Sequence, residues 1–354
     1  MSRFMRERYQ TMDAYVPGEQ PRDMQYIKLN TNESPFPPAP AVTAALKASD
    51  VENLRLYSDP TCLKLRQKLG ALYGLEAENV LVTNGSDDAL NFAFMAFGEG
   101  GAVFPDITYG FYPVFAKLHG IEAEQIPLKE DLSIDYRDFF GKNKLTVIAN
   151  PNAPTGLSLP KEQIVEILKA NPQAVVVIDE AYVDFGGDSC ADLVNRFDNL
   201  LVVQTFSKSR SLAGGRLGFA LGCKELIADL EKLRYSTNPY NINSLTMKLG
   251  EATLDNNGYY MDNCRTIMEN RDYTARQLEK LGFSVIPSKA NFVFARSGRV
   301  SGKVLYEELK KRGVLVRHFS NPRISDYLRI TVGTKAQMDG LLAAVKDILS
   351  GGAL

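Results

Sequence analysis

Thr-Phe-Ser-Lys-Ser-Arg-Ser-Leu-Ala-Gly-Gly-Arg-Leu-Gly, residues Thr205–Gly218, decides how the rest of the chain is interpreted. The stretch lies between two short apolar runs, 200–203 and 219–221, which predict buried strands. Lys208 follows the first of them among hydroxyl side chains, and a lysine held in such a place can serve as a Schiff-base amine. Hydroxyls, glycine backbone and Arg216 are groups that bind a phosphate. An exposed loop with a solvated lysine would also explain the stretch, so the choice depends on the remaining sequence.

The composition is that of a globular protein with a large core. The chain has 354 residues, of which 45% are hydrophobic and 23% charged, and this length favours two domains. A net charge of −1 implies no general affinity for nucleic acid or anionic membranes. Four scattered cysteines and two histidines predict reduced thiols and no metal site. With no hydrophobic signal core and no apolar run of membrane-spanning length, we expect a soluble cytoplasmic protein.

The distribution of prolines and apolar runs predicts three parts of the chain: an arm, a large domain and a smaller domain. Residues 1–40 read as an extended arm, because the prolines in 35–38 forbid a helix. From residue 79, seven short apolar runs alternate with helical segments, and runs such as 175–178 are apolar on both faces. They predict a mainly parallel, doubly wound α/β sheet covered by helices. The large domain is placed at 41–240 and a smaller α/β domain at 241–354, after a polar break at 237–241.

Polar side chains directly follow several of the predicted strands. Ligands bind at the carboxyl ends of strands in such sheets, so we expect these side chains to meet. Ser86 and Asp87 open a helix, where backbone N–H groups and the helix dipole bind anions; a simple helix cap is the alternative. Tyr109 can stack on a planar ring or can be a core aromatic.

The next two strands lead to an amide and a carboxylate. Asn152 can present an amide donor to a ligand, although a rigid proline-rich connection explains the segment as well. Asp179 ends a fully buried strand, where it needs a partner such as a protonated ring nitrogen or a structural salt bridge. Tyr182 can place its hydroxyl beside the same ligand. Together with Lys208, these groups suit pyridoxal 5′-phosphate, which carries a phosphate, a ring nitrogen and an aldehyde.

At these residues the chain resembles the fold-type I aminotransferases, and within them the histidinol-phosphate aminotransferases. The motifs Thr205–Lys208 and Asp179–Tyr182 mark the superfamily, while Leu29–Pro35 and Leu328–Thr334 indicate the narrower family. The other matching segments are Tyr57–Pro60, Thr83–Asp87, Pro151–Gly156 and Gly215–Gly218. The resemblance covers nearly the whole chain and implies a large seven-stranded cofactor domain with a smaller C-terminal domain.

The resemblance also implies roles at the cofactor. Lys208 would form the Schiff base and move the substrate proton, and Asp179 would keep the ring nitrogen protonated. Tyr109 would stack on the ring, and Tyr182 would contact the ring hydroxyl with an asparagine. The residues implied at the phosphate are Ser86, Asp87, Ser207 and Arg216, with Tyr57 reaching the phosphate of the other subunit in a homodimer.

The resemblance also implies residues that bind the substrate. Arg329 is expected to bind the anionic end of each substrate, with Arg317, Tyr15 and Asn32 nearby. Arg323 is either a further contributor or a solvated loop cation. The family usually has asparagine at the position of Ala153, so we expect Asn152 to supply the amide to the ring hydroxyl instead.

The implied reaction moves an amino group between glutamate and imidazole acetol phosphate, giving 2-oxoglutarate and histidinol phosphate in histidine biosynthesis. The alternatives are an aromatic amino-acid aminotransferase, an enzyme similar to threonine-phosphate decarboxylase, and a ligand-binding protein without catalysis. The sequence has neither GxSxG nor a Walker A motif, which disfavours an α/β hydrolase or a nucleotide enzyme.

Overall fold

The computed structural model describes residues 2–10, 12 and 17–351. Tyr15 therefore lies outside the described residues. The helices are α1 (Glu7–Gln10), α2 (Pro40–Ala45), α3 (Ala48–Glu52), α4 (Leu63–Tyr73), α5 (Ser86–Phe97), α6 (Tyr112–His119), α7 (Lys161–Ala170), α8 (Lys224–Thr237), α9 (Ser244–Asp255), α10 (Asn257–Lys280), α11 (Gly302–Lys311) and α12 (Lys335–Leu349). The strands are β1 (Ile27–Lys28), β2 (Val80–Thr83), β3 (Ala102–Pro105), β4 (Ala123–Ile126), β5 (Leu145–Ala149), β6 (Val176–Asp179), β7 (Leu200–Thr205), β8 (Gly218–Gly222), β9 (Phe283–Ile286), β10 (Phe292–Ser297), β11 (Val314–Leu315), β12 (Arg317–His318) and β13 (Tyr327–Thr331).

A seven-stranded sheet forms the centre of the molecule. Its strand order is β2-β8-β7-β6-β5-β3-β4, and β8 runs antiparallel to both of its neighbours while the other pairs are parallel. The prediction of a mainly parallel seven-stranded α/β sheet is confirmed. Because β8 runs the other way, its first residue lies at the edge of the sheet where the neighbouring strands end.

Both faces of this sheet are covered by helices. Along β6, Val176 and Ile178 belong to the core on one face and Val177 to the core on the other, as the two-residue period of a strand requires. The first face packs against α4 and α7, and the second against α5, α6 and α8. Two-sided burial explains why these strands are continuous apolar runs, since each fully buried Val or Ile contributes about 2 kcal/mol of hydrophobic stabilisation.

A second core forms around the C-terminal part of the chain. The four-stranded sheet β12-β13-β10-β9 is antiparallel and packs against α10, α11 and α12. The predicted polar break at 237–241 falls between α8 and α9. Residues of the arm join this core: β1 pairs with β11, and Leu29 is buried in the same cluster. The arm therefore continues from the C-terminal core to the edge of the large sheet.

Among the helices formed by the described residues, none combines the length and apolar character needed to cross a lipid bilayer.

Candidate active site

The carboxyl edge of the large sheet borders a cavity of about 440 Å³. The segments after β2, β3, β5, β6 and β7 all reach it, as does the segment before β8. Eight of the site residues predicted from the sequence line this cavity. The predicted residues that line the cavity are Ser86, Asp87, Tyr109, Asp179, Tyr182, Ser207, Lys208 and Arg216.

One end of the cavity is built to hold an anion. Helix α5 begins there at Ser86, after Gly85 in a left-handed conformation (φ 81°), and no side chain caps its first turn. Its backbone N–H groups and positive dipole end are thus available to an anionic ligand. A Cβ on Gly85 would lie 2.4 Å from a guanidinium nitrogen of Arg216, so only glycine lets this arginine approach the helix.

Arg216 reaches the anion end because of its place in the chain. It follows Gly214 and Gly215, adopts φ 50°, and lies two residues before β8 begins. Its guanidinium lies 3.6 Å from the carboxylate of Asp87, which also accepts a 2.8 Å hydrogen bond from the Tyr109 hydroxyl. Arg216 and Lys208 therefore line one cavity, the arrangement that the two glycines suggest.

The carboxyl of Asp179 lies deeper, with 4% of the residue exposed. Burial raises its pKa to about 6, although hydrogen bonds from the Tyr112 hydroxyl (2.7 Å) and the Ala181 amide (3.2 Å) oppose that rise. A cationic donor in the cavity would stabilise the charged form. Tyr112 was not predicted, because a tyrosine three residues after Tyr109 in a helix cannot be distinguished from a core aromatic in the sequence.

Lys208 lies between the two ends of the cavity. Its Nζ donates a 3.2 Å hydrogen bond to the Thr31 carbonyl of the arm and lies 5.9 Å from the centre of the Tyr182 ring. The preceding residue, Ser207, is buried and its amide donates to the Thr205 hydroxyl, which shapes the turn after β7. The amine is thus held at the cavity by backbone on one side and an aromatic ring on the other.

Tyr182 is oriented by an asparagine of the arm. Asn32 is 1% exposed, adopts φ 57°, and donates a 2.9 Å hydrogen bond from Nδ2 to the Tyr182 hydroxyl. Its Oδ1 accepts from the Thr331 hydroxyl on β13, so its orientation is fixed. Since the Tyr182 oxygen accepts this bond, its own proton is available to a ligand.

The structure does not bring the Asn152 side chain into the cavity. Its Nδ2 donates to the Ile107 carbonyl and the Thr155 hydroxyl, and its Oδ1 accepts from the Thr108 hydroxyl. Ala153 lines the cavity in its place. The asparagine that contacts Tyr182 is Asn32, which comes from a different part of the chain.

An adjoining cavity of about 310 Å³ contains the predicted substrate arginines. Arg317 on β12 and Arg329 on β13 are directly opposite in the strand register. Like charges in that arrangement repel one another, and an anion between them would relieve the repulsion. Phe319, which was not predicted, lies within 6 Å of both guanidinium groups, at 5.9 and 5.8 Å.

Two other predicted residues lie away from both cavities. Tyr57 is 82% exposed and stacks on Tyr240 with ring centres 4.4 Å apart. Arg323 is an exposed loop cation rather than a cavity residue: it donates to Asp106 (2.7 Å) and to the Leu128 carbonyl (2.6 Å), and so ties a C-terminal loop to the large sheet.

The residues present fit a phosphorylated aromatic cofactor. The helix end with Arg216 suits its phosphate, the Asp179 carboxyl a protonated ring nitrogen, the Tyr182 hydroxyl a ring oxygen, and the Lys208 amine an aldehyde. The fold and the cavity thus define a class of enzyme that binds pyridoxal phosphate beside a lysine.

Comparisons with known proteins agree with this class. The model of the family "Aminotransferase class I and II" matches residues 24–345. Histidinol-phosphate aminotransferase 1 of Bradyrhizobium diazoefficiens is 46% identical over 99% of this chain and 100% of its own length. Histidinol-phosphate aminotransferase of a Marinomonas species is 48% identical over 98% of this chain and 100% of its own length. The structure of histidinol-phosphate aminotransferase from Sinorhizobium meliloti in complex with pyridoxal-5′-phosphate superposes with a TM-score of 0.88 over 100% of this chain and 99% of that one, at 24% identity, which supports the fold.

The chain belongs to the aminotransferase class I and II family and, within it, to the histidinol-phosphate aminotransferases. The predictions of a transaminase and of pyridoxal phosphate as its cofactor are confirmed by this membership.

Proposed function

We propose that this chain transfers an amino group between glutamate and imidazole acetol phosphate, forming 2-oxoglutarate and histidinol phosphate in histidine biosynthesis. The observation that carries the substrate assignment is the pair Arg317 and Arg329, opposite one another in a cavity that adjoins Lys208. Two guanidinium groups suit a phosphate dianion and also the carboxylate of glutamate, because each can donate paired hydrogen bonds. The names of the two relatives support the same substrate.

Residues of the large sheet hold the cofactor and move the proton. When bound, pyridoxal phosphate supplies a ring that accepts electrons from the substrate carbon. Lys208 Nζ removes the proton from the substrate Cα and returns it during the transfer. Asp179 keeps the proton on the ring nitrogen, and the Tyr182 hydroxyl, oriented by Asn32, donates to the ring oxygen.

The phosphate of the cofactor is bound at the start of α5. Ser86, Ser207 and the Arg216 guanidinium contribute hydrogen bonds, and Asp87 keeps Arg216 and Tyr109 in position. Tyr109 lines the same cavity and would cover one face of the ring. A phosphate fixed in this way would set the distance between the ring and Lys208, on which proton transfer depends.

The active unit in this proposal is a homodimer with shared active sites. Tyr57 is exposed and separate from the cavity of its own chain. Exposed apolar side chains near it in the sequence are Val51, Leu54 and Leu56. Exposed apolar side chains favour association, and in this proposal Tyr57 lies at the phosphate of the other subunit.

The division into an arm (1–40), a large domain (41–240) and a small domain (241–354) remains part of the proposal. Separate hydrophobic clusters around the two main sheets support it. A cytoplasmic location is also proposed, and the four unpaired cysteines fit a reducing compartment.

A substrate competition tests the reaction. Purified protein with pyridoxal phosphate is supplied with glutamate and either imidazole acetol phosphate or phenylpyruvate, and 2-oxoglutarate is measured. We expect kcat/KM to favour the phosphate substrate by about a hundredfold, the range of two charge-assisted hydrogen bonds. Equal or faster use of phenylpyruvate would instead support an aromatic aminotransferase. In a separate assay with threonine phosphate as the substrate, release of carbon dioxide would support the decarboxylase.

A mixing experiment tests the shared site. Lys208→Ala and Tyr57→Phe subunits are each expected to be poorly active alone, because one lacks the amine and the other the phosphate contact. In a mixed dimer, one site contains both defects and the other contains neither. Recovery of activity on mixing is expected; no recovery in verified heterodimers would contradict the role of Tyr57 in the neighbouring site.

A further inference from the structure

A group of buried polar side chains lies behind the active site and takes no part in the reaction described above. Glu180 directly follows Asp179 but points to the opposite face of the sheet, because neighbouring residues alternate at the end of a strand. Only 2% of Glu180 is exposed. Its carboxylate accepts hydrogen bonds from the Ser189 hydroxyl (2.6 Å), the Cys190 amide (2.6 Å) and Gln204 Nε2 (2.8 Å).

The bond from Gln204 links two strands that carry the reaction residues. Gln204 lies on β7, four residues before Lys208, and is 2% exposed. Its amide donates to Glu180 while its Oε1 accepts a 2.6 Å hydrogen bond from the Tyr73 hydroxyl. The Gln204 side chain is thus held at both ends. Through it, the end of β7 that leads to Lys208 is fixed to Glu180, the residue that follows Asp179.

A second link lies on the other side of Lys208. Asp184 accepts hydrogen bonds from the Ser209 hydroxyl and from Arg210, whose Nη1 is 3.0 Å from the carboxylate. Ser209 and Arg210 are the two residues after Lys208, and both are buried. Arg210 Nη1 also lies 3.3 Å from the Ser209 hydroxyl, and its Nη2 donates to Asn257 Oδ1 at 3.4 Å, so this link is separate from the first one.

The two links therefore enclose Lys208 in the sequence. One binds residue 204 to residue 180, and the other binds residues 209 and 210 to residue 184. After β7 ends at Thr205, residues 206–212 form no helix or strand, and Ser211 has a left-handed φ of 53°. A segment without its own backbone ladder takes its shape from such side-chain bonds, and a buried network of this kind has few alternative arrangements.

We propose that Glu180 is a positioning residue: through Gln204, which Tyr73 holds at its other end, it fixes the strand that leads to Lys208 relative to the segment that carries Asp179. The role rests on the proposed function, since it concerns the distance between the proton-transfer amine and the carboxyl at the ring nitrogen. Glu180 itself lies outside the cavity that holds the ligand. The charged and titratable groups that face the network are Asp184, Arg210, Tyr73, Cys190 and Cys264.

The test compares the wild type with Glu180→Gln, which keeps size but places a donor among three donors. With cofactor bound, we expect kcat to fall about tenfold while KM changes less than about twofold, because a displaced amine slows proton transfer without removing a substrate contact. We also expect the pH midpoint of the visible cofactor absorbance to shift by about half a unit, because the surroundings of the Lys208 nitrogen change when its segment is displaced.

Two further variants separate positioning from stability. The double variant Glu180→Gln with Gln204→Glu exchanges the donor and the acceptor. We expect its kcat to be at least about three times that of Glu180→Gln, and the midpoint of its cofactor absorbance to return to the wild-type value. Glu308→Gln, an equivalent change in α11 where Glu308 pairs with Arg312, should alter neither value. If Glu180→Gln does not fold, Tyr73→Phe removes the hydroxyl that holds Gln204 at its other end, and a smaller change of the same sign is expected.

The outcomes are distinguishable. A wild type that shows no visible absorbance with pyridoxal phosphate overturns the proposed function and the positioning role with it. Normal wild-type absorbance combined with unchanged kcat and midpoint in Glu180→Gln and Tyr73→Phe overturns the positioning role alone. A variant whose folded fraction retains wild-type kcat and midpoint while its melting temperature falls has the same meaning, because Glu180 then only stabilises the fold.

Discussion

The two ends of the active site are built in different ways. At the cofactor end, Ser86, Asp179 and Lys208 lie at or just beyond the ends of strands of one sheet. At the substrate end, Arg317 and Arg329 come from the C-terminal sheet and meet residues of the arm. The cofactor end therefore takes its reacting groups from one sheet, and the arm adds only the hydrogen bonds to Tyr182 and Lys208. The substrate end requires three separated parts of the chain to meet, so it should tolerate small changes in substrate more readily.

Replacement of the lysine should have the largest effect on the cofactor end. Lys208→Ala removes the amine that binds the cofactor and moves the proton, so we expect kcat to fall by about 10⁴-fold or more. Visible absorbance should disappear when this variant is dialysed. Lys224→Ala, at a surface lysine that pairs with Glu76, serves as the control and should behave like the wild type.

Asp179→Asn should have the next largest effect. An amide cannot hold the ring nitrogen protonated, so we expect cofactor binding with a loss of about 10³-fold in kcat. Steady-state transamination and a cofactor titration measure the two properties separately. Asp192→Asn, at an exposed carboxylate that pairs with Lys161, is the control. Activity close to that of the wild type in Asp179→Asn would show that another group faces the ring nitrogen.

The same carboxyl should affect stability in the absence of cofactor. Because burial raises its pKa from 3.8 to about 6, the folded state binds this proton more tightly than the unfolded state. Its contribution is therefore fully present below about pH 4 and is lost as pH rises through 6, a difference on the order of 3 kcal/mol. Urea unfolding of cofactor-free protein at pH 5 and pH 8 should show a smaller pH dependence in Asp179→Asn. Glu180 adds a slope of the same sign, since burial raises its pKa to about 7.

Changes at the substrate end should be smaller and should act on KM. Arg329→Lys retains the charge but loses the paired hydrogen bonds, so we expect KM to rise about thirtyfold for both glutamate and the phosphate substrate. Steady-state kinetics with each substrate measure this. Arg323→Lys, whose guanidinium is engaged with Asp106, is the matched control. A large fall in kcat with constant KM would place Arg329 in the proton-transfer step and contradict the division between the two ends.

Phe319→Leu should have the smallest effect. Its ring lies near both arginines, and loss of these cation–π contacts should raise KM by about threefold, with more effect on the doubly charged phosphate than on the carboxylate. The ratio of the two KM values is the measurement, and Phe140→Leu at an exposed aromatic is the control. An unchanged ratio would mean that the ring does not affect anion selection.

The sequence located those site residues that come directly after a predicted strand. Lys208, Asp179 and Ser86 could be located because each comes directly after an apolar run that ends at the same edge. The approach of Arg216 to α5 was also accessible, since the glycines before it indicate a tight turn. The sheet and its coverage by helices followed from continuous apolar strands, which are stable only when both faces are buried.

Other features depend on three-dimensional details that residue type does not specify. Whether Asn152 or Ala153 faces the cavity is decided by the geometry of the turn, because neighbours point in different directions. The contact of Asn32 with Tyr182 joins residues 150 positions apart. Tyr112 and Phe319 look like core aromatics in sequence, and Arg323 could not be distinguished from a solvated cation without its partner Asp106.

The most direct test of the account is to trap the bond between cofactor and protein. Protein loaded with pyridoxal phosphate is reduced with borohydride and digested, and the modified peptide is identified by mass spectrometry. We predict that the modification is found on Lys208, in the peptide that follows β7. Modification of a different lysine, or no modification of protein that is active as a transaminase, would contradict the assignment of Lys208 as the catalytic amine.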